Sequence, residues 1–167
     1  MTRIFLLFFL FGSSLGLTLD GIYLGGQVGQ VGLTGGSSSQ HQNAIGFGLD
    51  MGLKSNPLVD LVFQSQWSSH SGSPQGLKIF SQTLGVMTHL EITDFDFTLG
   101  LGPGFYHFSR ATSQTHFGLH WNAGADLILS QHLRTGLTFR YHSLFGEGGA
   151  DDFWSVMMRV GTIIELG

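Results

Sequence analysis

The stretch that decides the fold is "FTLGLGPGFYHF", residues 97–108. Phe97, Leu99, Leu101, Pro103 and Phe105 occupy alternate positions, with Thr98, Gly100, Gly102, Gly104 and Tyr106 between them. Period-two alternation marks a β-strand whose two faces meet different surroundings. One face here is large and apolar and the other nearly bare. What lies against the row of Phe and Leu settles the rest.

The pattern recurs along the chain in "IYLGGQVGQ" (22–30), "AIGFGLDMGLK" (44–54), "VDLVFQSQW" (59–67) and "TLGVMTHLE" (83–91). It returns in "HFGLHWNAGADLI" (116–128), "LRTGLTFRYH" (133–142) and "WSVMMRVGTIIE" (154–165). Eight strands are therefore expected. "KIFSQ" (78–82) fits neither phase, and a β-bulge is expected there. Tight turns at 55–57, 93–94 and 130–131 alternate with longer connections at 31–43, 68–82, 108–115 and 143–152, rich in Gly, Ser, Gln and His. Short turns at one end and longer loops at the other describe an up-and-down antiparallel barrel.

Charge and glycine orient it. Asp50, Lys54, Asp60, Glu91, Asp96, Asp126, Arg134, Arg140, Arg159 and Glu165 all share the face opposite the large apolar residues, and so does every glycine of these windows except Gly26. An eight-stranded barrel has an interior just wide enough for side chains to fill. Rows of Phe, Leu and Trp cannot fit inside, so they coat the outside and the charges line the bore. That arrangement suits a barrel whose solvent is lipid, because closure satisfies every backbone N–H and C=O. The fold expected is an all-β, eight-stranded antiparallel transmembrane barrel. Trp67, Phe105, Tyr141 and Trp154 at the loop end, with Phe95 and Phe97 at the turn end, sit where interfacial aromatic girdles belong.

The rest of the sequence fits an exported protein. "MTRIFLLFFLFGSSLG" carries one charge at Arg3, an apolar run from Ile4 to Phe11, and Ser14 and Gly16 as a small-residue cleavage site. Residues 1–16 read as a signal peptide and 17–167 as the barrel. The apolar run is far shorter than the roughly 20 residues of a spanning helix. A net charge of -4 leaves no basic footprint for nucleic acid, and the absence of Cys excludes thiolate metal sites. No cofactor motif is present. "GLGPG" (100–104) opens no helix and is not a phosphate loop.

The pattern resembles the small outer-membrane β-barrels of Gram-negative bacteria, of the OmpA transmembrane-domain and OmpX type, with "IYLGGQVGQ" similar to the first strand of that family. The resemblance implies an outer-membrane location, periplasmic termini and four surface loops. It also implies contact with outer-membrane lipid and lipopolysaccharide, and insertion by the outer-membrane assembly machinery. That family usually ends on an aromatic residue, whereas this chain ends "IIELG".

The inward charges should pair, because a lone ion in a dehydrated bore is costly. Asp126 and Arg134 flank the 130–131 turn and are expected to meet across it. The expected function is a structural or surface-interaction barrel plugged by polar side chains. A narrow porin-like solute or ion path is the alternative. His120 and His142 face inward on adjacent strands with His116 above, a spacing that does not by itself enforce a metal site. "RYHSLFGE" (140–147) is similar in position to the catalytic strand of lipid A deacylase barrels, which makes His142, Ser143 and Glu147 a second alternative. That family has His-x-Ser; adjacent His142 and Ser143 face opposite ways unless a bulge intervenes.

Overall fold

The computed structural model describes residues 20–56, 59–73, 75–145 and 152–166, so the signal-peptide expectation and Glu147 lie outside the described residues. The strands are β1 (Gly21–Leu33), β2 (Ala44–Asn56), β3 (Val59–His70), β4 (Leu77–Ile92), β5 (Phe95–Ser109), β6 (Ser113–Ile128), β7 (Leu133–Phe145) and β8 (Phe153–Glu165). They close into one barrel in sequence order, each antiparallel to its neighbours, with β1 paired to β8. A short 3-10 turn at Gly35–Ser39 is the one helical element among the described residues.

The alternation read from residues 97–108 is the alternation observed. Leu99, Leu101 and Phe105 are exposed, Leu101 by 68%, while Thr98 and Tyr106 are buried. The same holds for Ile45, Phe47 and Leu49 against Asp50, and for Val156, Met158 and Val160 against Ser155, Met157 and Arg159. The apolar rows therefore cover the outer wall. Gly26 is the outward glycine the pattern singled out, and a Cβ there would meet nothing.

Strands run further towards the loop end than their patterns suggested, so the connections shrink to 34–43, 71–76, 110–112 and 146–152. The expected bulge in "KIFSQ" is absent: β4 pairs with β3 and β5 in unbroken register through these residues. Leu77 and Ile79 point inward and are buried, while Lys78, Phe80 and Gln82 point outward. The local phase confused the reading because the bore itself turns apolar at that level. Val31, Leu33, Leu77, Ile79, Tyr106, Phe108, Phe153 and Met157 form one buried cluster inside the loop end of the barrel. The register shift lies instead between Lys54 and Asn56, at the β2–β3 turn.

Candidate functional site

The bore is layered, and the layers follow from strand register. Towards the turn end, Cα pairing places Glu91, Asp96, Asp126, Gly136, Arg159 and Gln27 in one row across β4, β5, β6, β7, β8 and β1. Three carboxylates adjacent in a row need cations. Arg159 supplies one: its Nε donates to Asp126 Oδ1 at 2.6 Å and its Nη2 to Oδ2. Gly136 stands between these two residues and, having no side chain, lets them meet over it.

Arg134, on the next inward level of β7, donates through Nη1 to Asp96 and through Nη2 to Glu91 Oε1 at 2.7 Å. The pairing expected across the 130–131 turn is thus replaced. Arg134 lies opposite Ile128, not Asp126, and its guanidinium reaches back to β5 and β4. His89 completes this layer, its Nδ1 2.9 Å from Asp96 and its Nε2 2.8 Å from Asp60. The layer sets Asp60, Glu91, Asp96 and Asp126 against Lys54, Arg134, Arg159 and the His89 ring. The cavity left among these groups is about 10 Å³, room for about one water. Glu165, expected in the network, is exposed at the end of β8, where the alternation has run out of the bore.

The middle layer centres on Arg140 of β7, only 1% exposed, which reaches across to Asp50 of β2 at 3.2 and 3.3 Å. Gln27 Nε2 donates to the same carboxylate at 2.6 Å. Above it His142 lies between Phe153, stacked at 4.2 Å, and Tyr106, whose hydroxyl is 3.2 Å from Nδ1. His120 stacks beside His142 at 6.0 Å. Arg140, Thr138, His142, Tyr106, Phe153, Ser155 and Met157 are all at most 1% exposed, so at this level no water-sized space touches them. Among the described residues no set of three His, Cys, Asp or Glu is placed to hold a metal ion.

His142 and Ser143 take opposite faces, with no bulge between them. The imidazole is buried in the bore, while the Ser143 hydroxyl faces outward and donates to Asp152 Oδ2 at 3.4 Å. Asp152 instead fastens the rim, accepting from the Tyr141 hydroxyl at 2.8 Å and the Leu144 N–H at 2.9 Å.

On the outer wall, Trp67, Phe105, Tyr141 and Trp154 stand at the loop end. Phe80, Phe117 and Phe145 join them: Phe105 packs edge-on to Phe117 at 5.5 Å, and Phe145 lies 6.1 Å beyond it. Phe95 and Phe97 stack at 6.3 Å near the turn end.

Residues 5–162 match the family model described as the outer membrane protein beta-barrel domain. The chain belongs to that family. Its wall therefore faces the outer membrane, and its strands, not helices, cross it. Solved structures with the same fold include Neisserial surface protein A (TM-score 0.71, 12% identity, 87% of this chain and 97% of that one). The N-terminal β-barrel domain of Pseudomonas aeruginosa OprF is also similar (TM-score 0.64, 10% identity, 87% and 98% covered). So is the outer membrane enzyme PagL (TM-score 0.54, 13% identity, 83% and 97% covered). No curated protein sequence matches the chain.

Membrane residence sets an expected result for the wall. Leu101→Arg places a charge at mid-strand on the lipid face and should cost about 2–4 kcal/mol of stability. Urea titration of the barrel in lipid vesicles, followed by tryptophan fluorescence, reads it. An unchanged midpoint would contradict the orientation.

Proposed function

We propose that this outer-membrane family member is a structural or surface-interaction barrel that neither conducts nor catalyses. The observation that carries this reading is the continuous buried layer at Arg140, His142, Tyr106 and Phe153, topped by the apolar cluster inside the loop end. A path for hydrated ions needs a bore wider than this. Its interior arginines are paired with carboxylates of other strands, which suits a stiff scaffold that presents four connections at one end. The wall is surrounded by outer-membrane lipid and lipopolysaccharide, and the outer-membrane assembly machinery inserts the chain.

The planar bilayer is the direct test. Purified, refolded protein is expected to give no unitary current steps; reproducible steps would favour the channel reading. Incubation with lipid A is expected to release no acyl chain, because His142 and Ser143 cannot share a substrate. Acyl release that His142→Ala abolishes would overturn the non-catalytic part.

A further inference from the structure

Two of the connections at the loop end are fused into one piece. The first (34–43) and the second (71–76) meet above β2 and β3, where His41 pairs with Gly72. The Gln42 N–H donates to the Ser71 carbonyl at 2.9 Å, and the Ser73 N–H to the Gln40 carbonyl at 3.2 Å. Two imidazoles act as struts: His41 Nε2 lies 3.2 Å from the Gln75 carbonyl oxygen, and His70 Nδ1 lies 3.0 Å from that of Gln42. Gly72 permits the contact, since a Cβ there would meet the His41 ring and the Gln40 carbonyl oxygen. Backbone and histidine rings thus do the fastening, and Gln40, Gln42, Ser71, Ser73 and Gln75 stay exposed.

This face carries no formal charge of its own. From Gly21 to Leu49 and from Leu61 to Leu77 the sequence contains no Asp, Glu, Lys or Arg. The exposed groups are hydroxyls and primary amides, each able both to donate and to accept. A charged ligand finds no counter-charge on these two connections, and an apolar one finds polar side chains. Sugar hydroxyls, by contrast, need the same mixed set of donors and acceptors. Holding the groups on one rigid piece lowers the ordering cost of binding. Long connections mark the outward end of such barrels, so the face looks away from the cell. We propose that the fused first and second connections bind neutral, hydroxyl-rich glycans through Gln40, Gln42, Ser71, Ser73 and Gln75. The assignment rests on the surface-interaction reading above and specifies its partner.

The full chain in lipid nanodiscs, washed over an array of uncharged glycans, acidic glycans and unglycosylated proteins, tests it, with empty nanodiscs as the blank. Uncharged glycans should be retained, and high salt should leave their retention unchanged because no ion pair is involved. S71A/S73A removes two exposed hydroxyls, leaves the backbone bonds in place and should lower retention about tenfold. G72V keeps every exposed polar group but drives the two connections apart, and should lower it as far. Both changes lie beyond the barrel wall, so folding should persist, checked by the heat-dependent shift in gel mobility. Retention of acidic glycans or bare proteins alone would overturn the proposal. So would no retention of uncharged glycans, or equal retention by the parent and either variant. Unitary currents in planar bilayers together with glycan retention would remove the sealed-bore reading and leave this one intact; electrical silence without retention would do the reverse.

Discussion

Arg140→Ala is expected to destabilise the folded barrel by about 3–5 kcal/mol, because it strands a buried carboxylate. Asp50 is 3% exposed and, among the described residues, keeps only the Gln27 amide as hydrogen-bond donor once the guanidinium is gone. Most of the cost is desolvation left uncompensated, and the lost attraction is the smaller part. The matching expectation is that removing both charges, as in D50L/R140M, restores most of the loss, since an apolar pair of similar bulk leaves no ion behind. Equilibrium urea titrations of the three proteins in lipid vesicles make the comparison. If R140A melts with the parent protein, Asp50 must be hydrated in the bore, and the sealed middle layer would be wrong.

Gly136→Val should be at least as damaging. An added Cβ would occupy the space of the Ala125 carbonyl oxygen and of Asp126 Oδ1. To admit it, β6 and β7 must part or Asp126 must leave Arg159, so overpacking adds to a broken buried pair, together about 5 kcal/mol. Gly26→Val is the control. The same change there points outward into open space and should alter stability by less than about 0.5 kcal/mol. Heat-dependent gel mobility after refolding separates the outcomes: G26V folds to the parent yield and G136V largely fails. Equal yields for both would show that Gly136 is not the gap through which the ion pair forms.

The fold is legible because period, charge and glycine change sides together wherever they occur in the strand windows, Gly26 excepted. Asp50, Arg140 and Arg159 each sit among outward-facing Leu, Phe, Val or Met neighbours, so an inside and an outside could be read one strand at a time. Partner choice was not legible. Asp126 meets Arg159 and not Arg134 because barrel stagger brings β6 and β8 to one level across a glycine, and no single-strand pattern contains that stagger. "KIFSQ" misled for a related reason. The rule of polar inside and apolar outside holds for the lower bore but reverses at the loop end, where Leu77 and Ile79 meet Val31, Phe108 and Phe153. Those residues are distant in sequence, and several fell in stretches that read as loop. The aromatics at 80, 117 and 145 join the girdle through register with their neighbours, which position along each strand did not reveal.

The seam between β1 and β8 has a temporal meaning. Residues 21–33 find their second partner only in residues 153–165, made later. Until that late segment arrives, the sheet has two raw margins that hydrocarbon cannot solvate. The barrel segment must therefore reach its destination unfinished, and insertion becomes a single committed event, completed by a zipper joining the first and last strands.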